Sequence, residues 1–336
     1  WIHQPTKVFR LLRMLRRIGR CVRSADIVYT DMIFANFYSP IVPSHQCLVM
    51  EVNGIIGEEL VNKGVVVRGS WKHTLFRLLE RWGYNRADHL IAVSGGLREY
   101  LIQEFGILPD RISVIPNGVD LRLFPINEDG SEIRRRYALG RNPVIFFHGS
   151  FKSWHGLDHL VRCFRFIKDE VPQAYLMLVG DGAPRPGIER LVQESGLSES
   201  VIMTGMQPKC DIHKYIAAAD VCVYYPNYSV GCYGFLGNPI KFYEYMAMQK
   251  PIVTTRLRGF SELIEENQCG LVVPATHQDF VRGVVTILSD PEQARTFGRN
   301  GRRAVESTYN WPTIAQKIYT VCSEALAYKR ASNLAC

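Results

Sequence analysis

Short runs of β-branched and aliphatic residues alternate, along most of this chain, with stretches whose apolar positions recur every three or four residues. Ten runs read as strands: 27–29, 48–52, 90–93 and 113–115 in the first half, then 144–147, 175–179, 201–204, 221–224, 252–254 and 271–273. Between them, 157–170, 188–194, 212–218 and 278–288 carry helical spacing. This alternation builds parallel sheets with helices on their faces. A linker between two domains is expected within or just before the polar, irregular interval 127–142. With 336 residues, 47% of them hydrophobic, the chain has material for two cores. No apolar run approaches the roughly 20 residues that span a bilayer. Residues 1–23 also lack the continuous apolar core of a signal peptide.

Charge changes the picture mainly at the start. The net charge is +8, and Lys7, Arg10, Arg13, Arg16, Arg17, Arg20 and Arg23 fall in the first 24 residues with no acid among them. On a helical period the arginines fill an arc of roughly 140°, opposite Leu11, Leu12, Met14, Leu15, Ile18 and Val22. One reading is a basic amphipathic helix over residues 7–23 lying on an anionic membrane surface. The other is a helix whose apolar face covers a sheet while its basic face is solvated. The second is preferred, because the 27–29 strand follows at once. Nucleic acid is not expected as a partner, since these charges are not interleaved with exposed aromatics. Nine cysteines, an odd number without a C-x-x-C pair, suggest neither a zinc site nor a disulfide framework and fit a reducing cytoplasm.

Candidate chemistry concentrates in residues 237–255. Asn238 suits an N-cap and Pro239 the first helical position, where its missing N–H costs nothing. The unpaired N–H groups and dipole of such a helix start form an anion site. Lys241 and Glu244 fall three apart on one face. A cation at the anion site with a carboxylate one turn below suits a diphosphate with a ribose behind it. The plain alternative is a surface ion pair on an amphipathic helix.

This segment resembles the donor-nucleotide signature of retaining glycosyltransferases of family four, written S/N-P-x-K-x-x-E-Y-M-A-x-G-K-P. The resemblance implies that Glu244 holds the ribose hydroxyls and that the loop through Leu236, Gly237, Asn238, Pro239 and Ile240 meets the diphosphate. The commoner signature carries a second, sugar-contacting Glu where Leu236 stands here, and Gln249 replaces a usual Gly. Three further motifs resemble the family in order and spacing: 87–94, which ends a strand in Ser94; the P-N-G-V-D turn at 116–120, read as using Asn117 and Gly118 for positive φ; and Tyr309-Asn310-Trp311, which opens the last helix. The fold implied is GT-B: two Rossmann-like, doubly wound α/β domains facing a cleft, with the C-terminal helix crossing back to the first. The boundaries expected are 1–130 for the acceptor-side domain, 131–308 for the nucleotide-sugar domain and 309–336 for the crossover helix. The family's opening strand and glycine-rich loop have no counterpart before residue 27, so an N-terminal segment of the fold is expected to be missing.

Family members also face the diphosphate with a loop that corresponds to 149–156, where Ser150 and His155 replace the usual Arg and Lys. Gly149 and Ser150 are thereby donor-binding candidates. His155 is expected to bind as an imidazolium, since a diphosphate favours that form. Gly180-Asp181-Gly182 ends another strand and permits close backbone approach, though a tight turn explains it equally well; Met206 is implied to meet the base. Asn53 stands where many relatives have a His that contacts the sugar near the reaction centre, with Glu51, Glu58 and Ser94 as acceptor-side candidates. Lys241, His155 and Asn53 form the catalytic set. The implied function is transfer of a sugar from a nucleoside-diphosphate sugar to a hydroxyl acceptor with retention, without a metal or other cofactor, in the cytoplasm or peripherally on the membrane. A nucleotide-sugar 2-epimerase and a non-catalytic basic scaffold of the same fold remain as alternatives.

Overall fold

The computed structural model describes residues 22, 24–31, 42–227, 237–256 and 261–334. It divides into two compact units. The first comprises the chain up to Pro116 together with the stretch from Ala315 onward, and the second runs from Asn117 to Ile314. Apart from Val22, the expected basic helix over 7–23 lies outside the described residues. Among those residues, no helix is long and apolar enough to cross a membrane.

In the first unit, β1 (Ile27–Asp31), β2 (Cys47–Val52), β3 (His89–Ala92) and β4 (Ile112–Val114) form a parallel sheet in that order. Helices α1 (Ile56–Asn62), α2 (Trp71–Arg86) and α3 (Gly95–Phe105) join them. Ser70 and Ser94 supply the caps expected of small hydroxyl residues, accepting the N–H groups of His73 and Leu97. Asp88 accepts the N–H of Leu48 at 2.8 Å and pairs with Lys329 Nζ at 2.7 Å, which ties the last helix, α12 (Trp311–Leu334), to this sheet.

The second unit holds a six-stranded parallel sheet built from β5 (Val144–His148), β6 (Tyr175–Val179), β7 (Val201–Gly205), β8 (Val221–Tyr224), β9 (Ile252–Thr255) and β10 (Gly270–Val273). Their order is β10-β9-β8-β5-β6-β7. The chain fills one side of β5 and then crosses to the other, so a topological switch lies between β5 and β8, where open α/β sheets bind ligands. Helices α4 (Ser131–Arg136), α5 (Leu157–Glu170), α6 (Arg185–Glu194), α7 (Ile212–Ala217), α8 (Ile240–Ala247), α9 (Ser261–Glu266), α10 (His277–Ser289) and α11 (Pro291–Ser307) complete it. One continuous core runs through Phe146, Phe147, Tyr224, Phe242 and Tyr245.

Two expectations change. By contacts the division falls at Pro116–Asn117, ahead of the interval 127–142 and of the expected boundary at 130. Val119 donates its N–H to Tyr309 O at 2.9 Å, and Phe124, Ile133 and Leu139 enter the second core. Gly130, at φ 69°, lies so close to α7 that a Cβ there would sit 2.3 Å from the Ala218 nitrogen. Its apolar anchors are single residues among charges, too sparse to show as a period. The Asn117-Gly118 turn also differs, because neither residue is among those with positive φ. Gly118 is needed for space: a Cβ would meet the Asn310 carbonyl carbon and the Trp311 nitrogen at 3.1 Å.

Candidate functional site

The site candidates of the second unit gather where β5 ends. His148, the last residue of β5, donates its backbone N–H to the Tyr245 hydroxyl at 3.1 Å and so fixes α8 against the strand. Packed in this way, α8 buries Lys241 and Glu244 with all its other residues except Ile240. Lys241 is only 8% exposed. Its Nζ has no hydrogen-bond partner among the described residues. The ammonium lies 4.2 Å from the centroid of Phe147 and 5.1 Å from that of Tyr224, so ring faces are its main compensation. Burial pulls its pKa down to about 7, with the Glu244 charge opposing.

The surface ion pair considered for Lys241 and Glu244 is not formed. Glu244 turns instead to His148, whose Nε2 lies 3.0 Å from Oε2. Burial lowers the pKa of His148 against the pull of Glu244.

The helix start differs from expectation by one residue. Pro239, not Asn238, is the N-cap position, and no side chain caps α8. Asn238 is drawn away because its Oδ1 accepts the Asn117 N–H at 3.1 Å, while Asn117 Nδ2 donates to the Asn238 carbonyl at 2.6 Å. The first N–H groups of α8, those of Ile240 and Lys241, therefore precede any intrahelical acceptor. Leu236 lies outside the described residues, and Gly237 is the first that follows.

The glycines act through space rather than through their N–H groups. Gly149 donates to Val179 O at 2.9 Å and Gly180 to Gly205 O at 3.0 Å, so neither N–H is left for a ligand. A Cβ on Gly149 would lie 3.1 Å from Lys241 Nζ, and one on Gly180 would strike Gly149 O at 2.0 Å. Asp181 accepts the Gly182 N–H at 2.7 Å and faces Arg185 at 3.3 Å, the tight-turn reading. Met206, after β7, is exposed.

Burial and the nearby Lys241 charge push the pKa of His155 down to about 2, a pull that the charge of a diphosphate would oppose. His155 Nδ1 sits 2.7 Å from the carbonyl of the exposed Ser150, and the ring lies 5.7 Å from Phe147 and 5.8 Å from Tyr224. The structure thus brings Lys241, His155, Gly149, His148 and Glu244 together around Phe147 and Tyr224. His148 and the two rings escaped the sequence reading; the only signal was a polar residue closing an otherwise apolar strand.

The first-unit candidates separate into two kinds. Asn53 Nδ2 donates to Glu51 Oε1 at 2.9 Å, and the other Glu51 oxygen accepts from the Tyr29 hydroxyl. Glu58, in contrast, is buried among Arg68 at 3.1 Å, the Tyr100 hydroxyl at 3.3 Å and His73 at 3.5 Å. These partners occupy it, so it is not a free acceptor-side carboxylate. Ser94 is buried as the cap of α3. Among the described residues, no three His, Cys, Asp or Glu side chains converge as a metal ligand set.

A family model described as glycosyl transferases group 1 matches residues 129–304, more than half the chain, and a second, glycosyltransferase family 4, matches residues 1–123. This chain belongs to the glycosyl transferases group 1. It is similar to the GDP-mannose-dependent α-(1-6)-phosphatidylinositol monomannoside mannosyltransferase of Mycolicibacterium smegmatis, at 28% identity over 71% of this chain and 63% of that protein. The Mycobacterium tuberculosis counterpart matches at 28% over 69% of this chain and 60% of its own length. The chain thus spans about three-fifths of these curated relatives. Among solved structures, HepE of Anabaena in complex with UDP shares the fold with a TM-score of 0.76 and 20% identity, over 96% of this chain and 84% of that one. Sucrose-phosphate synthase of Thermosynechococcus elongatus does so at 0.75 and 23%, over 96% and 80%. Group 1 membership and these neighbours identify the two Rossmann-like units as those of a GT-B protein.

Proposed function

We propose that the second unit binds a nucleoside-diphosphate sugar at the end of β5 and the start of α8, and that the chain transfers its sugar to a hydroxyl acceptor with retention at the anomeric carbon. One observation carries this reading: among the described residues, the buried Lys241 ammonium has neither a hydrogen-bond partner nor an ion pair. Burying a charge is costly unless it is paired. A diphosphate supplies the missing partner, next to uncapped N–H groups that also favour negative charge. As the bond from sugar to diphosphate breaks, Lys241 stabilises the charge developing on the leaving phosphate, an electrostatic contribution concentrated in the transition state. Glu244 accepts from the ribose hydroxyls, with one oxygen steadied by His148. The leaving phosphate oxygen takes the acceptor's proton, so no protein base is required, and no resident cofactor or metal enters the reading. The mannosyltransferase relatives use GDP-mannose by name, and HepE was solved with UDP-glucose. UDP and GDP are therefore the first probes.

Calorimetric titration with UDP and GDP tests the placement. Glu244→Gln keeps the side chain's size but removes its charge-assisted acceptor, a loss of about 1.5–3 kcal/mol. Nucleotide affinity should fall tenfold or more while Tm stays near that of the unaltered protein. Equal affinity in the two proteins would overturn the ribose assignment.

A further inference from the structure

One helix of the first unit is inside out. On α2, the polar residues His73 and Glu80 are buried with Tyr84, while Trp71, Leu75, Leu78, Leu79 and Trp82 are between 41% and 72% exposed. At 3.6 residues per turn these five share an arc of roughly 100° on the outward side. The polar interior has a cause. Glu80 accepts the N–H of Ile56 at 2.6 Å and that of Gly57 at 3.3 Å, closing the start of α1, and Arg77 reaches Tyr100 and Glu104 at 3.1 Å. The helix is held through its polar face, so its apolar face is left outward. Single exposed apolar residues are ordinary, but a contiguous stripe bounded by two tryptophans marks an interaction surface.

Charge selects the occupant. Between residues 63 and 86 the sole acid is Glu80, which is buried; of the bases there, Lys63, Arg68 and Arg77 pair with Glu59, Glu58 and Glu104, which leaves Lys72, Arg81 and Arg86 without an acid partner among the described residues. Lys72 and Arg81 are exposed on opposite flanks of the stripe. We propose that this face of α2 seats on an anionic membrane surface, its Trp and Leu side chains at the boundary between headgroups and acyl chains and Lys72 and Arg81 on lipid phosphates. A second copy of the chain would bring two basic rims together. A bilayer surface satisfies the apolar stripe and the charge at once. This proposal concerns a different surface from residues 7–23 and does not depend on the donor site.

Flotation of the full chain with vesicles tests it, using equimolar phosphatidylglycerol and phosphatidylcholine against phosphatidylcholine alone. The chain should float with the anionic vesicles only, with a blue shift of tryptophan emission. Binding should weaken roughly tenfold or more on raising salt from about 50 to about 500 mM. The double variant Leu75→Glu/Leu78→Glu and the pair Lys72→Glu/Arg81→Glu should each lose at least about tenfold in partitioning. Both leave Tm and nucleotide affinity unchanged, because these side chains are exposed and lie in the other unit. Reversing Arg13, Arg17 and Arg20 to Glu should leave α2-dependent binding in place. Binding that survives both α2 variants, or that is equal on the two vesicle types, overturns the proposal. Self-association abolished by Leu75→Glu/Leu78→Glu, without flotation, assigns the stripe to a second copy and overturns it equally.

Discussion

At the scale of single residues, Lys241 governs the second unit's electrostatics. Its folded pKa of about 7 lies below the value of about 10.4 for an unfolded chain. Between those values the unfolded state binds the extra proton, so stability rises with pH across that window, by up to about 1.4 kcal/mol per pH unit. Below about pH 7 both states are charged and the penalty is constant. Lys241→Met removes the titrating group. Chemical denaturation between about pH 7 and about pH 9 should show a steeper rise for the unaltered protein than for the variant, and parallel curves would refute the buried-ammonium account. The sequence made Lys241 and Glu244 legible as a pair at helical spacing. It could not show that Glu244 turns to His148, or that Phe147 and Tyr224 flank the ammonium, because those contacts join residues from three separate strands and helices. The depressed pKa of His155 was hidden for the same reason: the ring's burial and its nearness to Lys241 exist only in three dimensions.

At the scale of elements, the loops after β5 and β6 are built by close backbone approach. Gly180 has φ +142°, and a Cβ there would stand 2.0 Å from Gly149 O. Gly180→Ala should therefore cost about 2–4 kcal/mol, from strain together with forced displacement of the Gly149 loop. Gly187, near the start of α6, is the contrast, since a Cβ there would meet no neighbouring atom within 4 Å. Gly187→Ala should be neutral or stabilise by about 0.5–1 kcal/mol, since Ala is the better helix residue. Urea midpoints of the two variants decide this, and similar effects at both sites would contradict the steric account. The strand pattern was readable because parallel strands buried on both faces are continuous apolar runs. Helix α2 was not, since its apolar residues face outward and its polar ones inward.

At the scale of the whole molecule, the contact-defined second unit begins at Asn117, and its core includes Val119, Phe124, Ile133 and Leu139. A fragment of residues 117–314 should fold cooperatively and bind UDP or GDP. A fragment starting at 141 lacks those four buried side chains, each worth about 1.5–3 kcal/mol, and should be unfolded or molten by circular dichroism and thermal melting. Equal stability of the two fragments would show that residues 117–140 are a linker after all.

The sequence by itself determined the strand and helix succession, the two-unit α/β class and the donor segment around Lys241 and Glu244, because each is written in local periodicity or in closely spaced residues. Tertiary structure alone decided that Glu58 and Ser94 are internal supports, that Gly149 and Gly180 serve by lacking a side chain, that burial and Lys241 depress the pKa of His155 and that Asn238 bonds to Asn117 instead of capping α8. Each of these depends on burial or on a partner far along the chain, and the free energies of desolvation and of unmet hydrogen bonds are fixed only once the chain has closed around them.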